Sequence, residues 1–325
     1  MSLTLSAEQA GRIEPLVAVL PVGVPAIETV GLRKAYRGSV VLHDLSLSVA
    51  PGEVFGFLGP NGAGKTTTVK ILMGLVRPTA GTASIFGLPA GDREARRRVG
   101  YLPENFRFHD WLTGAGLLDF HGRLAGLSAE ERRSRIPDAI ARVGLAGRGD
   151  ERIRTYSKGM TQRIGLAQAI FHRPDLVLLD EPTSALDPVG RREVRDLIHS
   201  LRDDGITVVL NSHLLSEVEL VCDRVAIIDH GRVVRSGPLA DLLGATTTIR
   251  VTVDRVDCEL RTALNRYADV LAVEDATVTL GVSDVEVAPL IADAVVRGGY
   301  QLYGLAPVHR SLEDVFMDLV EGGEE

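Results

Sequence analysis

The sequence predicts an α/β fold: a largely parallel sheet flanked by helices, with a helical insert and a small α+β domain at the end. Three observations predict it. Short, almost wholly apolar runs alternate with helical patterns: VFGFLG (54–59), DLVLLD (175–180), ITVVLN (206–211) and RVAIID (224–229), separated by helix-like text at about 65–73, 158–171, 189–203 and 214–221. Strands buried on both faces read as continuous apolar text, and alternation with helices marks a parallel sheet. Residues 105–155 lose the strand pattern and carry LLDFHGRLAGL and AEERRSRIPDAIARVGL between Gly-rich breaks, a helical insert. After GPLADLLG (237–244) the text restarts in the order β-α-β-β-α-β-α, a two-layer α+β domain of ferredoxin-like pattern.

The expected organisation is an extension over 1–26, the α/β domain over 27–240 with its helical subdomain at about 105–160, and the α+β domain over 245–325. From Ile27 the chain is β-like through IETVGLRKAY and VVLHDLSLSV, and PGE (51–53) turns it into VFGFLG. That strand runs into a Gly-rich loop and then a helix from about Lys65. In the last domain IRVTVD alternates, CELRTALNRYA is helical, VLAVED and TVTLGV are strands, DVEVAPLIADAVVRGG is helical, YQLYGLAP is a strand and SLEDVFMDLV closes as a helix.

The chain has 325 residues, 45% hydrophobic and 24% charged, which suits two globular domains. Its net charge of −7 gives no basic field, so no nucleic-acid partner is expected. REARRR (93–98) and ERRSR (131–135) read as solvated helix faces. Cys222 and Cys258 lack metal-like spacing and fit free thiols in a reducing compartment. MSLTLSAEQAGRIE does not read as a signal peptide, and LVAVLPVGVPAI (16–27) is broken by prolines and short for a bilayer. A chain soluble on its own is the expectation.

Two stretches carry the chemistry. GPNGAGKT fits G-x-x-x-x-G-K-[ST] at Gly59, Gly64, Lys65 and Thr66. Glycines let backbone N–H groups crowd phosphate oxygens, and the helix N-terminus adds its dipole. Lys65 can reach the β- and γ-phosphates, and Thr66 can ligate Mg²⁺. LVLLDEP (176–182) ends a strand in Asp180, a candidate Mg²⁺ ligand, and Glu181, a candidate general base. His213, after the next strand, could hydrogen-bond a γ-phosphate or the attacking water, although a lone histidine there is more often structural.

In order, KAY (34–36), GPNGAGKT, GYLPEN (100–105), YSKGM (156–160), LVLLDEP, SALD (184–187) and NSH (211–213) resemble the nucleotide-binding subunit of ATP-binding-cassette (ABC) transporters, over about Ile27 to Gly237. The resemblance implies a P-loop NTPase fold of the ABC ATPase type that binds ATP with Mg²⁺. It implies a dimer of ATPase subunits, each capping the γ-phosphate held by the other, and a separate integral membrane permease. The chain would then lie in the cytoplasm, peripheral on the inner face of the membrane. By the same resemblance Asn61, Gly62, Gly64, Lys65, Thr66 and Thr67 cradle phosphate, while Tyr36 stacks on adenine with Val41 beside it. Ser157 and Gly159 reach the partner's γ-phosphate. Lys65, Glu181 and His213 act in hydrolysis, and Thr66, Asp180 and Glu104 hold the metal.

Two positions depart from the family pattern. YSKGM stands where LSGGQ is usual, so Lys158 replaces a glycine, and Glu104 stands where a glutamine is usual. Glu104 also reads as a solvated loop acid. Tyr36 also reads as a strand-end core residue. Asp187 matches the acid lining the dimer seam, and Trp111, in the insert that faces the permease, is either a contact or a core residue. SLEDVFMDLV resembles the tail of ATPases serving ABC-2-type exporters of drugs, lipids or polysaccharides. The competing functions are a soluble ABC-type ATPase acting on ribosomes or nucleic acid, and a binding module that no longer hydrolyses.

Overall fold

The structure is a computed structural model that describes residues 23–244, 247–282, 284–308 and 310–321. Of the expected N-terminal extension, residues 1–22 lie outside the described residues. The chain forms two compact units that divide between Gly237 and Pro238.

The first unit runs β1 (Ile27–Tyr36), β2 (Ser39–Val49), β3 (Val54–Leu58), α1 (Lys65–Leu72), β4 (Ala80–Ile85), β5 (Leu88–Pro89), α2 (Arg93–Arg97) and β6 (Val99–Leu102). It continues with α3 (Gly114–Ala125), α4 (Ala129–Arg142), α5 (Lys158–Ile170), β7 (Leu176–Asp180), α6 (Pro188–Asp203), β8 (Thr207–Asn211), α7 (Leu215–Val221), β9 (Arg224–Asp229) and β10 (Arg232–Pro238). An antiparallel sheet has the order β2-β1-β4-β5, and a six-stranded sheet has the order β10-β9-β3-β8-β7-β6. Every residue of β3, β7 and β8 is buried, which is why these strands read as unbroken apolar text. Phe55, Phe57, Leu178 and Val209 of this sheet pack with Leu42, Leu45 and Ile71 in one core.

Register sets the site. The parallel pairs Phe57↔Asn211 and Asp180↔Asn211 bring the carboxyl ends of β3, β8 and β7 level. In a parallel sheet that edge is where the following loops converge and ligands bind. The helical insert forms as expected. Thr113 caps α3 by accepting from Gly116 N at 3.0 Å, and Ser128 with Glu131 forms a capping box on α4, which continues through Pro137.

The second unit runs α8 (Leu239–Leu243), β11 (Thr247–Val253), α9 (Cys258–Leu264), β12 (Asp269–Glu274), β13 (Thr277–Val282), α10 (Ala288–Arg297), β14 (Leu302–Val308) and α11 (Leu312–Glu321). Its antiparallel sheet has the order β12-β13-β11-β14, the ferredoxin-like arrangement expected from β-α-β-β-α-β. Alternation decides its core: Ile249, Val251, Val253, Val278 and Leu280 face Leu260, Leu264, Ile291 and Val295 of the helices.

Candidate active site

The buried strand β3 delivers the chain into residues 59–64. Gly59 has φ 151°, and a Cβ there would lie 2.1 Å from the Ile228 carbonyl oxygen. Gly64 has φ 106°, and its Cβ would lie 2.5 Å from Leu42 Cδ2. Both positions therefore need glycine, one for approach to β9 and one for approach to β2. Gly64 is the cap residue of α1 and supplies no side chain to its first turn. The orphan N–H groups of that turn stay available to an anion. Lys65 is buried, and its Nζ donates to the carbonyls of Gly59 at 2.6 Å and Pro60 at 3.1 Å. The ammonium thus lies folded along the loop.

At the end of β7, Asp180 is 2% exposed and accepts a hydrogen bond from Asn211 Nδ2. Burial pushes its carboxyl upward, the Asn211 bond opposes this, and the nearby charges of Glu104 and Glu181 push it further up. Burial lowers the Lys65 ammonium, opposed by Glu181, Asp180 and Glu104 in that order. One cation thus faces three carboxylates. Glu181 adopts φ 53°, a left-handed conformation that a β-carbon makes costly. Its N–H donates to the Asn211 carbonyl at 2.8 Å, and its Oε1 accepts from His213 N at 2.9 Å. His213 Nδ1 lies 2.7 Å from Glu181 Oε2.

These groups surround a cleft of about 380 Å³. Its walls bring together Val41, Asn61, Gly62, Gly64, Lys65, Thr66, Thr67, Glu104, Asp180, Glu181 and His213 from the sequence-derived set. Ser184 and Asn211 also line it. Sequence reasoning gave these two no role, although both lie inside motifs already noted, SALD and NSH. Among the described residues, no group of three His, Cys, Asp or Glu side chains could hold a metal ion.

Three expected residues stand apart from the cleft walls. Tyr36 is 42% exposed, with Lys34 Nζ 4.7 Å over its ring. Ser157 and Gly159 open α5, where Ser157 Oγ accepts from Met160 N at 3.2 Å and Ser157 is exposed. Asp187 caps α6 by accepting from Gly190 N at 2.8 Å. Trp111 is 68% exposed and stacks on His109 at 4.4 Å, so it is not a core residue. Gln162, which sequence reasoning passed over, is buried and donates from Nε2 to the Pro182 carbonyl at 2.9 Å and the Glu181 carbonyl at 3.4 Å.

Known proteins share this arrangement. The ABC transporter family profile matches residues 42–184. An uncharacterised ABC transporter ATP-binding protein of Synechocystis is 41% identical over 306 residues, covering 91% of this chain and 85% of its own. The daunorubicin/doxorubicin resistance ATP-binding protein DrrA of Streptomyces peucetius is 42% identical, covering 67% of this chain and 66% of its own. The Nod factor export ATP-binding protein I of Cupriavidus metallidurans is 36% identical, covering 89% and 95%. A dimeric ATP-binding cassette solved in a post-hydrolysis state with ADP and Pi aligns at TM-score 0.61 and 26% identity, covering 66% of this chain and 99% of that one. With these matches over a cleft that gathers a phosphate loop, a strand-end aspartate and a candidate base, the chain belongs to the ATP-binding subunits of ABC transporters and is an ATPase.

Proposed function

We propose that two copies of this chain bind ATP between them and that its hydrolysis drives a separate membrane permease, in the direction of export. The observation that carries this reading is a division of labour within one chain. The cleft holds a phosphate loop, Lys65, Asp180, Glu181 and His213. The second phosphate-type turn, Ser157–Gly159, lies outside it and is open to a partner.

In this reading Asn61, Gly62, Gly64, Lys65, Thr66 and Thr67 hold the triphosphate, and Val41 lies on the adenine side with Tyr36. The Glu181 carboxylate takes a proton from water as the water oxygen bonds to the γ-phosphorus. The bond to the β–γ bridging oxygen breaks, leaving ADP and phosphate. Lys65 offsets charge on the phosphoryl oxygens. The backbone N–H of His213 fixes the Glu181 carboxylate at Oε1, and its imidazole stands beside Oε2. Ser157 and Gly159 of the partner copy close over the γ-phosphate.

The residues fit Mg²⁺ arriving with ATP. Three carboxylates outnumber the single Lys65 ammonium, and Asn211 Oδ1 is buried beside Asp180 with no hydrogen-bond partner among the described residues. Thr66, Asp180 and Glu104 would hold the ion, directly or through water, and it would supply charge neutralisation at the phosphates.

No helix among the described residues is long and apolar enough to cross a membrane. In this reading a separate membrane protein supplies the passage. The exposed Trp111 and Leu124 and the half-exposed Phe120 of the helical insert suit that contact. Export draws support from the Nod factor export relative and from the tail SLEDVFMDLV, which forms α11. The test is gel filtration of a Glu181→Gln chain: saturating Mg²⁺–ATP should convert monomer to a dimer that ADP does not support. A monomer under both nucleotides would refute the shared-site reading.

A further inference from the structure

The helix that follows the Ser157–Gly159 turn is tied to the Glu181–Pro182 backbone inside one chain by a buried amide. Gln162 lies on α5, five residues beyond Ser157, and is 5% exposed. Five residues along a helix span about 7.5 Å. The residues that share its face of α5, Gly165, Leu166 and Ala169, are buried and apolar. An amide placed among them needs partners, and Gln162 finds both in one segment: the carbonyls of Pro182 and Glu181.

That segment is strained. Glu181 is left-handed at φ 53°, so its peptide must be held by surroundings that over-determine it. On the sheet side the holding groups are the Asn211 carbonyl and the His213 N–H. On the following turn Ser184 Oγ donates to the Glu181 carbonyl at 3.1 Å. On the helical side the holding group is Gln162.

We propose that Gln162 is a positioning residue that couples the Ser157–Gly159 turn to the aim of the Glu181 carboxylate. The inference rests on the shared-site reading above. When a partner's γ-phosphate seats on the turn, α5 responds as a rigid rod, and Gln162 sets the Glu181–Pro182 peptide and with it the carboxylate. An empty turn leaves the carboxylate less well aimed, which restrains hydrolysis in a lone subunit. Gln162 touches no reacting atom, so its loss should spare ATP binding and slow the chemical step.

The test uses the full chain with Gln162→Met, which keeps length and removes the donor, and Gln162→Glu, which keeps shape and sets an acceptor against two carbonyls. ATPase rates, thermal unfolding and ATP-dependent dimerisation are measured for each. The expected result is a roughly 10- to 100-fold fall in kcat with KM for ATP within about twofold, and an ATP-loaded dimer that persists as in Glu181→Gln. In the Glu181→Gln background, Gln162→Met should cost less than about twofold more, because both act on one step. Losses that multiply, a raised KM with unchanged kcat, or a lowered melting temperature with unchanged kcat would overturn the coupling and assign Gln162 to packing. If Gln162→Met does not fold, Gln162→Glu decides by the same criteria, and failure of both to fold also assigns Gln162 to packing. A parent chain without ATPase activity would sink the function reading itself. An active parent with indifferent variants sinks this inference alone.

Discussion

The N-termini of α1 and α5 both follow turns suited to phosphate, and the two are finished differently. Before α1, Gly59, Gly62 and Gly64 all have positive φ, the cap residue has no side chain, and Lys65 folds into the loop. Around it stand three carboxylates and a cleft of about 380 Å³. Before α5, the Ser157 hydroxyl accepts from Met160 N, and Ser157 and Lys158 are exposed to solvent, apart from the walls of the first cleft. One end is a nearly complete nucleotide site. In the proposed reading the other is a lid for the site of a second copy. A helix N-terminus by itself is cheap. What separates the two is the surrounding charge: the first stands among the carboxylates of Glu181, Asp180 and Glu104.

That contrast can be broken most severely at Glu181. Glu181→Gln removes the proposed general base and should lower kcat by about 10²–10⁴-fold while ATP binding survives. Steady-state kinetics with nucleotide titration checks it, and a loss confined to KM would contradict the assignment. Lys65→Ala attacks the first end at binding. It should cut kcat/KM by roughly 10²–10³-fold, with weaker ATP affinity in equilibrium titration. Gly159→Asp attacks the second end. A Cβ at Gly159 meets Leu186 Cδ2 at an ordinary 3.5 Å, so the fold should tolerate it. The added carboxylate would repel a γ-phosphate, abolishing ATP-dependent dimerisation while monomer affinity for ATP stays within about threefold.

The far end of α5 gives a smaller, pH-dependent effect. His172 follows that helix, and burial holds its imidazole down at about 4, below the ordinary 6.5, with His121 and Arg135 adding to the depression. The unfolded chain therefore takes up the proton first. Stability should fall as pH drops from about 6.5 toward 4, by at most on the order of 3 kcal/mol. Urea unfolding at pH 7 and pH 5 measures this, and His172→Phe should flatten the acid limb. The smallest effect is expected at Glu104. Glu104→Gln removes one of three carboxylates near Lys65, and the Mg²⁺ midpoint of ATPase activity should rise by less than about tenfold. An unchanged midpoint would make Glu104 a solvated loop acid.

Much of this was legible in the sequence for identifiable reasons. Fully buried parallel strands such as LVLLD announce themselves as apolar runs, and GPNGAGKT carries its own backbone demands in Gly59 and Gly64. The ferredoxin-like unit was legible because its strands alternate, with Ile249, Val251 and Val253 inward and Arg250 exposed. Gln162 was not legible, because its importance depends on carbonyls about twenty residues away that a register of side chains does not display. Asn211 stayed hidden for the same reason: its parallel pairing with Asp180 and Phe57 is a property of the sheet. Trp111 shows the opposite failure. A large aromatic invites a core reading, yet it stands exposed on the helical insert.

The shared-site account is tested most directly by mixing two inactive chains, Lys65→Ala and Gly159→Asp. In a mixed dimer one site combines both defects, while the other pairs an intact loop with an intact turn. The account predicts ATPase activity on mixing, well above the sum of the separate chains and up to roughly a quarter of the parent rate for random two-fold pairing. Activity that stays at the sum of the two would contradict it and return the Ser157–Gly159 turn to a role within its own chain.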